Sequence, residues 1–247
     1  MKNTSDMTID TANYKALLLG DFGTGKSSFA ATFPSPGFLF SFDSGAYVYK
    51  DSGFEYEKYP LSALGWIQFE KDCNEVCKAA LAGKYATIII DPTTSMQEIA
   101  MERALQIDPK RSPSGGPLWN VHYSIVKNLV GGRIRQLMNL PVNLLVIGHL
   151  RIVQDQDTGA IISIEPLLTG QLAETLPGGF GEVYCFFTRT KDSKPEYYLR
   201  TAPLGYYKAR STFAGKNSRI PLEVVNPTYE KLISYIKGAP TSPIKLT

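Results

Sequence analysis

Short apolar runs, each closed by glycine or a polar side chain, recur along this chain. Residues 16–19 read Ala-Leu-Leu-Leu before Gly20, and 38–42 read Phe-Leu-Phe-Ser-Phe before Asp43. Residues 86–91 read Ala-Thr-Ile-Ile-Ile-Asp, and 142–148 read Val-Asn-Leu-Leu-Val-Ile-Gly before His149. Near-continuous apolar runs of this length are the mark of strands covered on both faces, as in a parallel sheet. Between them the spacing becomes helical over 64–81, 94–106 and 121–140, with a brief helix after residue 26 that ends near Phe33 at the Pro34-Ser35-Pro36-Gly37 break. Residues 54–59 add an edge strand. Beyond 149 the pattern changes: 151–154 and 160–164 flank Asp157-Thr158-Gly159, a hairpin signal, and further strands are expected at 182–188 and 196–201, with a last helix at 227–237. Alternating strands and helices followed by hairpins predict an α/β fold, a mostly parallel sheet flanked by helices with an antiparallel hairpin extension.

The first strand runs into Gly20-Asp21-Phe22-Gly23-Thr24-Gly25-Lys26-Ser27, a complete phosphate-binding loop in its strand–turn–helix setting. A glycine-bearing turn lets backbone N–H groups converge, and the start of the helix adds its positive dipole end. Gly20 through Ser28 would cradle the phosphates, Lys26 would reach the β and γ oxygens, and Ser27 would ligate Mg²⁺. Asp91, about 65 residues later at the end of an isoleucine strand, fits the acid that holds the same magnesium; its bland alternative is a turn or helix-capping aspartate before Pro92. Strand ends converge on one crevice in an open α/β sheet, which brings Asp43 and His149 into candidacy beside Lys26 and Asp91.

Length, 247 residues, suits one large domain over 14–237, with polar segments at 1–13 and 238–247. With 43% hydrophobic and 20% charged residues the composition is that of an ordinary globular chain, and no apolar run approaches the ~20 residues of a membrane span. The start of the sequence leads into no signal-peptide core, and three cysteines favour a reducing compartment, so a cytoplasmic location is expected. Cys73 and Cys77, four apart on a helix with only two histidines in the chain, read as core thiols rather than a zinc site. The net charge of +3 conceals an asymmetry: between Thr188 and Arg219 eight bases meet two acids, +6, leaving −3 for the remainder. Those bases are Arg189, Lys191, Lys194, Arg200, Lys208, Arg210, Lys216 and Arg219, interleaved with Tyr197, Tyr198, Tyr206, Tyr207 and Phe213. Such a segment suits a polyanion, or is simply a solvated hairpin face.

The guanine-reading pattern of GTPases is absent, because Thr190-Lys191-Asp192-Ser193 does not meet it, and neither an Asp-x-x-Gly switch nor an arginine-rich lid stands out. The order of phosphate loop, acid-ended second strand, Asp91, long helix, polar-ended strand and basic hairpin resembles the RecA-like P-loop NTPase core. It is closest to small phage nucleotide-binding proteins built of that core, some of them single-strand-annealing recombinases. The resemblance spans roughly residues 14–220. It implies ATP and Mg²⁺ as cofactors, DNA-dependent hydrolysis, and a homo-oligomeric ring or filament on single-stranded DNA with nucleotide between subunits. It also implies residence in a bacterial host cytoplasm, and a single-strand-binding protein as a further partner. His149 would sense the γ-phosphate. Lys208 and Arg210 would reach the nucleotide of a neighbouring subunit. Lys110 and Arg111 in the 108–119 loop, and Arg151 in the 150–181 stretch, would contact DNA; Trp119 would stack on bases or pack in the core. One position departs from the family: Gly45 stands where a water-orienting glutamate is expected two residues after Asp43. Either Asp43 substitutes, or ATP is bound tightly and hydrolysed slowly, acting chiefly as an assembly switch. A motor ATPase or phosphotransferase acting elsewhere, and a nonenzymatic nucleotide-gated scaffold, are the competing readings.

Overall fold

The computed structural model describes residues 13–214 and 220–238. Lys216 and Arg219 of the basic segment, and the terminal segments 1–12 and 239–247, lie outside the described residues.

The expected strand–helix alternation is present. β1 (Lys15–Gly20) leads to α1 (Lys26–Ala30), β2 (Gly37–Ser41), a 3-10 turn (Gly45–Tyr49) and β3 (Phe54–Lys58). Then come α2 (Ala63–Leu81), β4 (Thr87–Asp91), α3 (Thr93–Ile107), α4 (Trp119–Met138) and β5 (Asn143–Gly148). The second half holds the hairpin β6 (Leu150–Gln154) and β7 (Ile161–Pro166), α5 (Gln171–Gly178), β8 (Glu182–Lys191), β9 (Lys194–Arg200), β10 (Glu223–Val225) and α6 (Tyr229–Lys237). Eight strands form one sheet in the order β10-β9-β8-β1-β5-β4-β2-β3, while β6 and β7 pair separately. All pairings from β8 through β3 are parallel; β9 and β10 extend the sheet antiparallel. α1 is shorter than expected, while α5, β10 and the 3-10 turn are additional elements.

The apolar runs are continuous because both faces of the central strands are covered. Successive side chains point to opposite faces, so Leu17, Leu19, Ile88, Ile90, Leu144 and Val146 join the core under α2, α3 and α4. Ala16, Leu18, Ile89, Leu145 and Ile147 join a second core with Phe29 of α1 and Leu232 and Ile236 of α6. In α2, Trp66, Phe69, Cys73, Val76, Cys77 and Ala80 form the buried stripe. Both thiols are core groups, as expected, and all three cysteines are free and buried.

The basic hairpin is tighter than the sequence suggests. Asp192 and Ser193, at φ 48° and 62°, make a two-residue turn between Lys191 and Lys194, so β8 and β9 pair to their tips. Among the described helices none is long and apolar enough to cross a membrane.

Candidate functional site

The strand order positions the site. β5 lies between β1 and β4, so the loop leaving β5 emerges between the phosphate loop at the end of β1 and Asp91 at the end of β4. Two glycines are demanded by close approach at these strand ends. A Cβ on Gly20 would lie 2.6 Å from the Phe186 carbonyl oxygen, and one on Gly148 would lie 2.9 Å from Thr93 Oγ1.

The loop itself needs left-handed backbone at Gly23 and Gly25, with φ of 70° and 88°. Thr24 Oγ1 donates to the Asp21 carbonyl at 2.8 Å. The Lys26 ammonium curls back into the loop, donating to the carbonyls of Gly20 at 3.0 Å and Asp21 at 2.7 Å. No side chain caps α1 at Gly25. The first backbone bond of that helix runs from the Phe29 N–H to the Gly25 carbonyl at 2.9 Å. The N–H groups of Lys26, Ser27 and Ser28 therefore precede the first helical bond, as helix-start donors do. Lys26 is only 6% exposed, and burial pulls its pKa down to about 8 despite the nearby carboxylates of Asp91 and Asp21.

Asp91 is gripped rather than free. Ser27 Oγ donates to its Oδ2 at 2.7 Å, and the Tyr49 hydroxyl donates to the same oxygen at 2.7 Å. Burial pushes the carboxyl up to about 6; the two hydrogen bonds oppose this, and Asp43 adds to it. Pro92, not Asp91, caps α3. That removes the helix-capping reading of this aspartate.

His149 stands beside these groups. Its Nδ1 lies 3.0 Å from Thr94 Oγ1 in the first turn of α3, and its ring packs 4.2 Å from the ring of Phe22. Burial, and then the Lys26 charge, lower its pKa, which keeps the imidazole neutral at neutral pH. Asp43 is exposed, and its Oδ1 accepts the Gly45 N–H at 2.7 Å. It shares the electrostatic field of Asp91 and His149 without bonding to either. The structure thus brings together Gly20, Asp21, Phe22, Gly23, Thr24, Gly25, Lys26, Ser27 and Ser28 with Asp91, His149 and Asp43.

The other candidate cations have separate settings. Lys208 is exposed and lines a cavity of about 170 Å³ with Glu165, Leu150 and Leu19. Arg210 spends its guanidinium on main-chain carbonyls, donating to Pro177 at 3.0 Å, Gly178 at 3.3 Å and Phe180. Arg111 donates to the carbonyls of Leu105 at 3.2 Å and Lys110 at 3.0 Å, closing the end of α3. The backbone N–H of Lys110 donates to Asp108 Oδ1 at 2.9 Å, and its side chain is exposed. Arg151 pairs with Glu165 at 3.2 Å across the β6–β7 hairpin. The 150–181 stretch is largely hairpin and helix α5, not an irregular loop.

Two residues escape sequence reasoning. Tyr49 is one aromatic among several after β2, and nothing local marks it as a partner of Asp91. His122 is fully buried; its Nδ1 accepts the Leu118 N–H at 2.7 Å and its Nε2 lies 2.8 Å from the Asp108 carbonyl, which ties down both ends of the 108–118 loop. Trp119, 68% exposed, packs its ring 4.5 Å from Tyr123 on the first turns of α4, so it is not a core residue.

A complete phosphate loop, a carboxylate two strands away and a polar residue just past the end of the strand between them make up the site of a RecA-like P-loop fold. Residues 12–217 match the family described as an AAA domain, and the chain belongs to that family. No curated protein matches it. Among solved structures it is similar to a KaiC-like protein, PH0186, of Pyrococcus horikoshii OT3, with 13% identity, TM-score 0.44, and 76% of this chain and 77% of that one covered. It is also similar to the flagellar accessory protein FlaH of Methanocaldococcus jannaschii, with 8% identity, TM-score 0.42, and 87% and 85% covered.

Proposed function

We propose that this chain binds ATP with Mg²⁺ at the Gly20–Ser28 loop, turns it over slowly, and uses its occupancy to assemble on single-stranded DNA and promote annealing or recombination. The observation that carries the nucleotide half is the cluster of half-buried Ser27 with buried Asp91 and Tyr49, beside a buried Lys26 whose ammonium is turned onto main-chain carbonyls. The residues fit the ligand pair. Oxygen donors at Ser27 and Asp91 suit a hard cation, and the Lys26 ammonium with the loop N–H groups suits phosphate oxygens. Magnesium would neutralise developing charge on the transferred phosphoryl group.

This chain's own residues would divide the work. Lys26 would release the Gly20 and Asp21 carbonyls and turn to phosphate. Ser27 and Asp91 would hold the cation side. His149, neutral and fixed by Thr94 and Phe22, would report on the terminal phosphate through α3. Asp43 is the carboxylate that would have to stand in for the missing glutamate, yet its Oδ1 accepts the N–H of Gly45 and closes its own turn. Slow hydrolysis follows, well below the 1–10³ s⁻¹ typical of enzymes.

Support for the DNA half comes from the resemblance, from exposed Lys110, and from Trp119 with Tyr123 as an exposed aromatic pair. A single-strand-binding protein belongs to the same reading. The test is a gel-shift with poly-dT and a slowly hydrolysed ATP analogue, alongside ATPase measured with single-stranded DNA, duplex and no DNA. A shift that needs nucleotide, with turnover stimulated by the single strand alone, is the expected result. Stimulation by duplex would favour a motor; nucleotide-dependent assembly without any shift would favour a scaffold.

The bases proposed to act across a subunit boundary differ in what they already hold. Lys208→Ala is expected to leave the melting temperature and nucleotide binding of the monomer unchanged and to weaken nucleotide-dependent assembly. Arg210→Ala strips hydrogen bonds from carbonyls at the end of α5, at about 1 kcal/mol or more each. It is expected to lower the melting temperature by several degrees. Scanning calorimetry with light scattering separates the two; loss of monomer nucleotide binding in Lys208→Ala would overturn its role across the boundary.

A further inference from the structure

We propose that Tyr49 is a positioning residue for the metal-holding carboxylate: its phenol fixes Asp91 so that magnesium can be held beside Ser27. The assignment rests on the nucleotide reading above and deepens it.

Tyr49 closes the 3-10 turn Gly45–Tyr49, and its side chain is buried. Its ring lies 6.3 Å from that of Phe54 at the start of β3, and the turn packs on α1, which carries Ser27. From there the hydroxyl reaches Asp91 Oδ2 at 2.7 Å, across 42 residues of sequence. Ser27 Oγ reaches the same oxygen at 2.7 Å. Both groups donate to Oδ2, and among the described residues no side chain bonds the other carboxylate oxygen.

That arrangement separates two tasks. A serine hydroxyl has one proton and two lone pairs, so Ser27 can face a cation only with its lone pairs while its single proton goes to Oδ2. A lone serine would thus have to aim the carboxylate and ligate the metal at once. The phenol relieves it of the first task. A phenol is neutral at neutral pH, so the hydroxyl 2.7 Å from Oδ2 acts toward the Asp91 carboxylate only as a donor. With Oδ2 pinned from two sides, Oδ1 is the oxygen that would be left to serve the cation. The segment after β2 thus supplies no carboxylate at Gly45 for water attack, but four residues later it supplies the group that orients the metal site.

Tyr49→Phe removes the hydroxyl and keeps the ring that packs near Phe54. Binding of a fluorescent ATP analogue is titrated with magnesium, and in parallel measured in EDTA. The expected result is a roughly tenfold rise in the magnesium needed for half-saturation, the worth of one hydrogen bond to a charged group, with metal-free affinity unchanged and a melting temperature lowered by no more than the several degrees that loss of one buried hydrogen bond costs. In an Asp91→Asn background the same change is expected to have no effect on magnesium dependence, because the phenol acts through that carboxylate. An unchanged magnesium midpoint, an equal loss of affinity in EDTA, or an undiminished effect in the Asp91→Asn background would overturn the assignment while leaving the nucleotide reading intact. If the unaltered chain showed no magnesium-enhanced binding, both would fall together.

Discussion

Lys26→Ala is expected to weaken binding of ATP with magnesium by at least about a hundredfold while leaving the chain folded. In the structure the ammonium is almost fully buried and is held by the carbonyls of Gly20 and Asp21. Neutral carbonyls are poor compensation for a buried cation, which is why burial pulls its pKa down to about 8. A triphosphate supplies the missing negative charge where water cannot screen it. Two charge-assisted hydrogen bonds of ~1.5–3 kcal/mol each correspond to roughly 10²–10⁴ in affinity. The alanine variant loses these but also loses a desolvated charge, so its melting temperature should hold or rise. Fluorescence titration with a labelled analogue and a thermal scan test both halves. Affinity within a few fold of the unaltered chain would sink the nucleotide assignment. The lowered pKa adds a pH signature. Above about pH 8 the ammonium of the free chain loses its proton, so affinity should fall there in the unaltered chain and show no such limb in Lys26→Ala.

The phosphate loop, Asp91 and the central strands were legible because their signals are local. A glycine-bearing turn between an apolar run and a helix has few structural alternatives. Runs such as Thr87–Asp91, buried throughout, announce a two-sided sheet without help from distant residues. What escaped depends on tertiary contact. β10 has three residues and exists by pairing with β9. α5 is preceded by Gly170 in an unusual backbone conformation and carries Pro177 within it, so neither a side-chain cap nor a clean periodicity marks it. Tyr49 is recognised only through a bond to a residue 42 positions away.

The basic segment is the instructive case, since counting charges between 188 and 219 missed Glu223. That one carboxylate pairs with Arg189 at 2.9 Å and with Arg200 at 2.5 Å. Arg200 also lies over the ring of Phe187, which stacks with Tyr198. Much of the apparent patch is therefore internal cement of the β8–β9–β10 sheet. Lys194 and Lys208 remain exposed and outside these ties.

Asp91→Asn should move stability and function in opposite directions. In the folded chain the carboxyl pKa is raised from the ordinary value near 4 to about 6. A folded-state pKa above the unfolded one means the folded chain holds the proton more tightly. The favourable contribution is full below about pH 4, fades as pH rises, and is gone above about 6. A shift of this size amounts to about 3 kcal/mol at full expression. Asparagine keeps the shape and an oxygen for the Ser27 and Tyr49 donors, removes the charge, and adds an NH₂ needing a partner, so roughly 1–2 kcal/mol of gain should survive. The expected result is a melting temperature several degrees higher at pH 7.5, little change at pH 5, and loss of the magnesium enhancement of nucleotide binding. Opposed signs matter, because a variant that merely damaged the fold would lose both. A second consequence follows from the pair. Asp91 helps keep Lys26 protonated, so in Asp91→Asn the alkaline limb of nucleotide binding should begin below pH 8, and a limb that stayed in place would show that the two charges of the site are not coupled.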